Sequence, residues 1–477
     1  MTLPELLHAL RCTVTVRDIG SCTAEEFALH AAREAGPSPH VILLSGGTHE
    51  CSTRSLAMLD PAAVLRVKNG RATLETADGT HDEQADPFDL LAAARAGLTA
   101  SPRTALPAAV GGYVAYDAAR AIEVLPARAR DELGLPDLLL LWPTRILHHE
   151  HRGGRLRECH VQWRDGERLL NVIAARDHPS QTEHTDRETG HDSGRVRRSF
   201  SREAYEAAVS RVRDHIYEGD VYQVNLSQRF TFPLREAPAA LWRKLYAANP
   251  APFYAYVDGG DHQVLSTSME RLLRIEPASG GDHIETRPIK GTRPRGATAW
   301  EDAAFEAELR TSAKDDAELS MIVDLARNDL GRVCRTGTVR VAEHRRVERY
   351  ANVMHLVSVV TGRLRTDAGI AEVFRALFPG GSITGCPKIR AMEIIDATEP
   401  VTRHAYTGSI GVLDADGTTD FNIAIRTAVV RDGLCHLSVG GGIVYDSDPE
   451  AEYMETLHKG GTFFHCADID PHTVTED

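Results

Sequence analysis

Short strand patterns and single helical patterns follow one another irregularly along the chain, and this order limits its possible folds most strongly. The segment VYQVNLSQRFTF (221–232) has the alternation of a strand. Because strands and helices mix without a regular β-α-β repeat, the pattern predicts an α+β fold with a large, mainly antiparallel sheet. Further strands are predicted at FYAYV (253–257), HQVLSTS (262–268), GSIGVLDA (408–415) and CHLSVGGGIVY (435–445), and helices begin near residues 312, 387 and 449.

The sequence divides into two structured regions that a polar segment separates. The first reads as short strands between turn signals, including VILLSGG (41–47) and a hairpin at Asn69-Gly70. The polar segment contains almost no large apolar residue, which is typical of a flexible linker. The expected divisions are an N-terminal region at 1–176, a linker at 177–197, a second region at 198–468 and a C-terminal tail at 469–477.

Composition excludes several classes of protein. With 42% hydrophobic and 26% charged residues, the 477-residue chain is typical of a soluble globular protein, and no apolar run is long enough for a membrane span. A formal charge of −14 disfavours binding to nucleic acid or anionic lipid. The first residues lack the pattern of a signal peptide and the eight cysteines form no CxxC pair, so we expect a cytoplasmic protein with free thiols.

Two predicted helices each carry a pair of carboxylates three residues apart, Asp315 with Glu318 and Glu452 with Glu455. Residues at i and i+3 share a helix face, so each pair points in one direction, and Lys459 lies one turn further along the second helix. If both pairs converge they need a cation, and a ligand set made only of oxygen atoms favours Mg²⁺. The alternative is that both pairs lie on solvated helix faces.

The segment IETRPIKGTRPRG (284–296) places Lys290 near Arg287, Arg293 and Arg295. A free lysine has a pKa near 10.4, so a neutral amine at pH 7 requires a pKa that is lower by roughly three. Nearby cations would lower the pKa in this way and make Lys290 a nucleophile. The alternative is that these basic residues bind an anionic substrate or lie on the surface.

The glycine run SVGGGI (438–443) is compatible with two local structures. Glycine permits close approach, so backbone N–H groups in this run can face a carboxylate. A β-bulge explains the same residues equally well.

Eight segments between about residues 199 and 464 form a recognisable series: EGDVYQVNLSQRF, STSMERLL, RPIKGTRPR, SAKDDAELSMIVDLARNDLGRV, FPGGSITGCPKIRAMEIID, YTGSIG, IAIRTAV and GGGIVYDSDPEAEYMET. In these segments and in their order the chain closely resembles the chorismate-utilising enzymes. VILLSGG and GGYVAYDAAR are similar to the family's more variable N-terminal region. The resemblance implies a β-sandwich core with helices packed outside, as in anthranilate synthase component I.

Within this resemblance, the segment PIKGT indicates the product. Anthranilate synthase large subunits have alanine at the position of Lys290, whereas aminodeoxychorismate synthase component I has lysine. The resemblance therefore implies conversion of chorismate and ammonia to 4-amino-4-deoxychorismate, a step toward 4-aminobenzoate and folate. Isochorismate and salicylate synthases of the family place a lysine base at the position of Gln223. Glutamine cannot activate water in this way, which favours ammonia as the nucleophile.

The resemblance implies a covalent mechanism with Mg²⁺ as cofactor. Lys290 attacks C2 of chorismate, Glu270 of STSMER protonates the leaving C4 hydroxyl, and ammonia enters at C4 and expels the lysine. Glu318 and Glu455 are expected to bind Mg²⁺ directly, with Asp315 and Glu452 holding its waters. The other expected substrate contacts are Gly291, Thr292, His355, Tyr406, Arg426, Gly440, Gly441, Gly442 and Lys459.

Two partners follow from the same resemblance. The sequence contains no glutaminase motif, so ammonia is expected from a separate glutamine amidotransferase subunit, component II. Ser45, Pro252 and Phe253 resemble a pocket that holds L-tryptophan in relatives, and we expect this pocket here as well.

Three alternatives to this function stay open at the level of the sequence. The chain could be an anthranilate synthase component I, or a 2-amino-2-deoxyisochorismate synthase in which Lys290 only contacts the substrate. A different class of function is a non-catalytic subunit that serves as a scaffold for an amidotransferase.

Overall fold

The computed structural model describes residues 1–47, 49–99, 109–174 and 196–472. The ten α-helices in these ranges are α1 (Leu3–Ala9), α2 (Ala24–Glu34), α3 (Pro87–Thr99), α4 (Arg202–Tyr217), α5 (Pro238–Ala248), α6 (Ala299–Thr311), α7 (Ala313–Gly331), α8 (Ile370–Leu377), α9 (Lys388–Thr398) and α10 (Pro449–Cys466). Short 3-10 helices lie at Tyr116–Ala121 and Gly381–Ile383.

The described ranges also contain 23 strands. They are β1 (Leu10–Ser21), β2 (His40–Leu44), β3 (Arg54–Lys68), β4 (Arg71–Thr76), β5 (Gly79–Gln84), β6 (Ala109–Val114), β7 (Leu138–Glu150), β8 (Arg155–Asp165), β9 (Arg168–Leu169), β10 (Arg197–Arg198), β11 (Gln223–Pro233), β12 (Phe253–Asp258), β13 (Gln263–Ser268), β14 (Arg271–Glu276), β15 (His283–Arg287), β16 (Ile289–Pro294), β17 (Arg340–Arg349), β18 (Val353–Arg363), β19 (Gly385–Cys386), β20 (Ser409–Asp414), β21 (Thr419–Asn422), β22 (Thr427–Arg431) and β23 (Leu434–Ile443).

One connected, curled sheet contains these strands, and the pairings between β2 and β12 and between β6 and β20 are antiparallel like the others described. These two pairings join the part of the sheet before residue 175 to the part after residue 195. Helix accounts for about 31% of the described residues and strand for about 39%, so the predicted α+β fold with a mainly antiparallel sheet is confirmed.

Apolar side chains cover both faces of the sheet. In β3, Leu56 and Met58 belong to one buried cluster, whereas Ala57 and Leu59 belong to the other. Successive residues of a strand point to opposite faces, so the two clusters lie on opposite sides of the strand. Helices cover both sides: α1, α3, α7 and α8 contribute to the first cluster, and α2, α4, α5, α9 and α10 to the second.

Local sequence signals place several elements correctly. The predicted hairpin forms between β3 and β4, and both Asn69 and Gly70 have positive φ, as a type I′ turn requires. The helices predicted near 312, 387 and 449 are α7, α9 and α10. Ser312 and Asp448 cap α7 and α10 by accepting hydrogen bonds from backbone N–H groups in the first turn.

Most of the linker predicted at 177–197 lies outside the described residues, as does 473–477 of the predicted tail. The division of the chain at this linker therefore stays a prediction. All eight cysteines are free thiols, as expected. Among the helices described, none combines the length and the apolar character that a bilayer span demands.

Candidate active site

Five structural elements bring most of the predicted site residues together around Lys290. This lysine lies in β16, and its amine is close to carboxylates from α7 and α10 and to Glu270, which precedes β14. A β-carbon on Gly442 of β23 would lie 3.2 Å from Lys290 Nζ and 2.9 Å from Nε2 of Gln223, the first residue of β11. We call this space the lysine chamber; it is bounded by Lys290, Glu270, Glu318, Glu455 and Gly442.

Burial is the main reason why the pKa of Lys290 is lowered. Its side chain is half-buried, and desolvation lowers the pKa of the amine below its ordinary value. The Lys459 ammonium lowers it further, whereas Glu318, Glu270 and Glu455 oppose the change. The amine makes no hydrogen bond or ion pair within the described residues, so its lone pair is available once the proton is lost.

The expectation that arginines lower the pKa of Lys290 is wrong. Each of the three arginines is neutralised by carboxylates: Arg287 by Glu285 and Glu50, Arg293 by Glu308 and Asp315, and Arg295 by Asp302. Side chains alternate along a strand and β16 is irregular between Lys290 and Thr292, so neighbours in sequence need not face one cavity. The nearby cation that acts on Lys290 is Lys459, from a distant helix.

Glu270 is a buried carboxyl group with the properties of an acid. Burial raises its pKa to about 7, and Lys290 and Ser382 offset part of this rise. The backbone N–H of Ile289 lies 3.4 Å from Glu270 Oε1. The Ser382 hydroxyl lies close enough to this carboxyl group to lower its pKa, although within the described residues no hydrogen bond from it has ideal geometry. A carboxyl group with this pKa holds a proton near neutral pH and can release it.

Each of the four predicted metal ligands has a different partner. On α10, Glu452 is buried and accepts a hydrogen bond of 2.6 Å from Ser447, while half-exposed Glu455 forms an ion pair of 2.6 Å with Lys459. The pKa of Glu452 is raised by burial and by repulsion from Glu455, whereas Lys459 lowers the pKa of Glu455.

The α7 pair lies opposite. Asp315 forms an ion pair of 3.1 Å with Arg293, and Glu318 lies 3.9 Å from Lys314. Both helices face the chamber, because Glu318 and Glu455 each act on the charge of Lys290.

The four carboxylates offer only oxygen ligands, which suits a divalent cation such as Mg²⁺. Within the described ranges, ligand atoms of three residues come within 4.8 Å of one another only at His215, Glu218 and Asp220, at the C-terminal end of α4, where Arg390 already pairs with Asp220. The four chamber carboxylates are therefore more widely spaced. Mg²⁺ needs only one or two protein carboxylates and retains waters, so it does not require all four to bind directly.

The glycine run is a regular part of β23. Gly440, Gly441 and Gly442 pair with β11 without a shift in register, so the β-bulge alternative is wrong. A β-carbon on Gly441 would lie 3.0 Å from Glu452 Oε2 and 3.6 Å from Glu455 Oε1. These glycines therefore leave the space that the chamber occupies between β23 and α10.

Gln223 is fully buried beside Lys290. Neither its side-chain nitrogen nor its oxygen has a hydrogen-bond partner within the described residues. A buried amide without partners is costly, and such groups in native proteins need an explanation. Its position next to the amine is consistent with a ligand that supplies the missing hydrogen bonds.

His355 of β18 is held by the segment that follows Lys290. Its Nδ1 lies 3.0 Å from Thr292 Oγ1 and 3.3 Å from the carbonyl oxygen of Gly291. A carbonyl only accepts, so Nδ1 carries the proton in this contact and Nε2 is left as an acceptor. Burial lowers the pKa of His355 to about 3, with Arg426 as the next cause, so the ring is neutral.

Arg426 and Tyr406 complete the predicted set. The Arg426 guanidinium makes no hydrogen bond or ion pair within the described residues, and its backbone has φ of 48°, in the left-handed region. Such strain in a residue that is not glycine is typical of functional sites. Tyr406 is buried, and burial raises the pKa of its hydroxyl.

The residues predicted to hold tryptophan also come together, away from the chamber. Ser45, Pro252 and Phe253 line one cavity of about 60 Å³. The Ser45 hydroxyl donates a hydrogen bond of 2.8 Å to the carbonyl oxygen of Pro252, and the Arg271 guanidinium lies 4.9 Å from the Phe253 ring centroid. Tryptophan binding at this cavity stays a prediction.

Sequence reasoning missed two serines that contact the acidic groups, Ser382 beside Glu270 and Ser447 beside Glu452. Ser447 had a local signal, because it directly precedes the Asp448 cap of α10. Ser382 had none, since it reaches Glu270 only through the fold.

Comparison with known proteins supports a single family. The family model described as chorismate binding enzyme matches residues 39–465. The chain is 36% identical over 456 residues to anthranilate synthase component 1 of Pseudomonas aeruginosa, covering 92% of each chain. It is 40% identical over 436 residues to aminodeoxychorismate synthase component 1 of Klebsiella aerogenes, covering 90% of this chain and 93% of that relative.

A solved structure agrees with the fold. Anthranilate synthase component I from Streptococcus pneumoniae TIGR4 superposes with a TM-score of 0.70 at 28% identity, covering 88% of this chain and 95% of that one. Most relatives that match carry the name anthranilate synthase component 1, so the names alone do not assign the product.

Proposed function

The chain belongs to the chorismate-binding enzymes, and from this membership we propose that it is an aminodeoxychorismate synthase component I. In this proposal it converts chorismate and ammonia to 4-amino-4-deoxychorismate, for 4-aminobenzoate and folate biosynthesis. The ammonia comes from glutamine through a partner amidotransferase, component II.

The observation that supports this product is the Lys290 amine itself. It is half-buried, makes no hydrogen bond within the described residues, has a lowered pKa, and lies beside an acid whose pKa is about 7. An amine with a lowered pKa, beside a carboxyl group that holds a proton near neutral pH, is suited to nucleophilic attack with acid assistance. A residue that only contacted an anionic substrate would need to keep its proton.

The proposed reaction has two displacements. The neutral Lys290 amine bonds to C2 of chorismate, the ring double bond shifts, and the C4 hydroxyl leaves as water with the proton of Glu270. Ammonia then bonds to C4, the double bond shifts back, and the C2–nitrogen bond breaks to release Lys290. The new C4 ammonium returns one proton to the Glu270 carboxylate. The balance is chorismate plus ammonia giving aminodeoxychorismate plus water.

Other residues of the chamber would bind and orient the substrate. Arg426 presents a planar guanidinium that has no partner in the part of the chain that the structure describes, which suits bidentate contact with a carboxylate. Glu318 and Glu455 would hold Mg²⁺ directly, with Asp315 and Glu452 acting through its waters. When bound, the ion supplies positive charge that attaches a substrate carboxylate to this acidic wall. The remaining proposed contacts are Gly291, Thr292, His355, Tyr406, Gly440, Gly441, Gly442 and Lys459.

The proposed covalent intermediate can be detected without the partner. Incubation with chorismate and Mg²⁺, without ammonia, should add the mass of chorismate minus water to the peptide 284–296. Mass spectrometry of the intact and digested protein measures this. An unmodified peptide together with rapid amination at C4 would refute the covalent step.

The alternative is an anthranilate synthase component I, which the names of most relatives favour. Incubation with chorismate, ammonium and Mg²⁺ separates the two. Fluorescent anthranilate without further enzymes would support the alternative. 4-Aminobenzoate that appears only after a lyase is added would support the proposal, and no consumption of chorismate would indicate a scaffold subunit.

A further inference from the structure

The Arg403 guanidinium lies buried in the fold and binds four separate segments. It forms a bidentate ion pair with Glu399, from Nε to Oε2 at 2.9 Å and from Nη2 to Oε1 at 2.6 Å. Its remaining donors reach the carbonyl oxygens of Ile383 at 2.9 Å and Asn225 at 2.7 Å, and the Thr407 hydroxyl at 3.4 Å.

The pair is enclosed on all sides. Arg403 is 4% exposed and Glu399 5%, and the Tyr116 ring centroid lies 4.8 Å from the guanidinium carbon. Glu399 also accepts hydrogen bonds from the Ser227 backbone N–H at 2.7 Å and hydroxyl at 2.9 Å. A buried ion pair of this kind contributes little net stability, but loss of one partner is costly, so its geometry is strongly fixed.

Three of the four segments that Arg403 binds lie next to residues of the candidate site. Asn225 follows Gln223 by two residues in β11. Ile383 follows Ser382, whose hydroxyl faces Glu270. Thr407 follows Tyr406, and the backbone N–H of Tyr406 also donates to the Arg403 carbonyl oxygen at 3.1 Å.

We propose that Arg403, held by Glu399, is a positioning residue for the chemistry at Lys290. Its guanidinium fixes the start of β11, the Ser382 segment and the Tyr406 turn relative to one another, so that all three face the same ligand. The planar, five-donor fork is needed because the acceptors belong to different segments, and a lysine ammonium cannot reach them together. This inference rests on the proposed function.

The test compares Arg403→Lys with the wild type in the ammonium-dependent reaction, which needs no partner. The variant keeps the positive charge but loses the fork. We expect kcat to fall roughly 10- to 100-fold, as small displacements of reacting groups commonly cause. We also expect the high-pH limb of the pH–activity profile, where activity is lost as pH rises, to move to higher pH. In the wild type, Ser382 lowers the pKa of Glu270. In the variant Ser382 would no longer face this carboxyl group, whereas Lys290 and the Ile289 N–H would remain beside it, so the pKa of Glu270 should rise.

Two further variants separate positioning from general damage to the fold. Ser382→Ala removes the hydroxyl directly and should move the high-pH limb in the same direction. Lys388→Met breaks another buried ion pair, with Asp329 at 2.8 Å, and should lower the melting temperature without changing kcat or the pH profile. If Arg403→Lys does not fold, Glu399→Gln is judged by the same criteria.

A kcat within threefold of the wild type, or a slower variant whose high-pH limb is unmoved, would overturn the proposal. If the wild type does not consume chorismate, the proposed function fails, and crystal structures of the wild type and Arg403→Lys decide the positioning role. Displacement of the Ser382 segment in the variant supports that role, and an unchanged segment refutes it.

Discussion

Lys290 and Gln223 meet beneath Gly442, where a β-carbon would lie 3.2 Å from the lysine nitrogen and 2.9 Å from the glutamine nitrogen. The amine and the amide thus share one small space, and the absence of a side chain at Gly442 keeps it open. In the proposed reaction, this space is where nitrogen chemistry takes place. Predictions about Lys290 and Gly442 therefore test the function most directly.

Replacement of Lys290 by alanine should remove amination at C4. Without the amine there is no covalent intermediate, and removal of a nucleophile commonly costs at least about 1000-fold in rate. Chromatography of 4-aminobenzoate after lyase treatment measures the loss. Lys244→Ala, on the exposed face of α5, is the control and should keep the wild-type rate. C4 product at the normal rate in Lys290→Ala would contradict the nucleophile role.

Replacement of Gly442 by alanine should displace the amine and the amide. The added methyl group meets Lys290 Nζ and Gln223 Nε2, so we expect kcat to fall roughly 10- to 100-fold. Gly461→Ala on α10 is the matched control, because a β-carbon there meets nothing within 4 Å. It should raise the unfolding free energy by about 0.5 to 1 kcal/mol and leave kcat unchanged. Equal rates for both variants would argue against close approach at Gly442.

The sequence predicted the elements around the chamber better than the contacts inside it. Helical spacing placed Asp315 and Glu318 on one face of α7, and Glu452 and Glu455 on one face of α10, because periodicity is a local property. The prediction that neighbouring arginines lower the pKa of Lys290 was wrong. The direction of side chains in an irregular strand and the approach of Lys459 both depend on tertiary packing, which the local sequence does not show.

The same limit explains why the Arg403 contacts had no sequence signal. Its acceptors Asn225 and Ile383 are separated from it by 178 and 20 residues. The contacts with Glu399 and Thr407, each at a spacing of four, are local. Long-range bonds of this kind depend on the completed sheet and not on any pattern of neighbouring residues.

Replacement of Glu270 by glutamine should abolish turnover and stabilise the fold at high pH. The folded-state pKa of about 7 is above the ordinary value of 4.5, so the wild-type fold is penalised as pH rises from 4.5 to 7. Well above pH 7, ionised Glu270 lowers the free energy of unfolding by on the order of 3 kcal/mol. Glutamine does not ionise, so the variant does not lose this stability. Below pH 4.5 the two proteins should have similar stability.

Denaturant unfolding of both proteins at pH 4, 6 and 8 measures this difference. The activity of the wild type should fall as pH rises through about 7, because the acid loses its proton. Asp324→Asn, at an exposed position of α7, controls for the removal of one negative charge. A stability difference that is constant across this range would refute the raised pKa.

Replacement of Glu318 by glutamine should weaken Mg²⁺ binding and activity together. An amide oxygen carries no net charge, so a directly bound cation loses much of its attraction. Isothermal titration calorimetry with Mg²⁺ should show an affinity lower by roughly 10-fold or more, equivalent to about 1.4 kcal/mol. Asp324→Asn on the same helix should bind Mg²⁺ as the wild type does. If Glu318→Gln also binds Mg²⁺ with wild-type affinity in calorimetry, the ion is held by other residues.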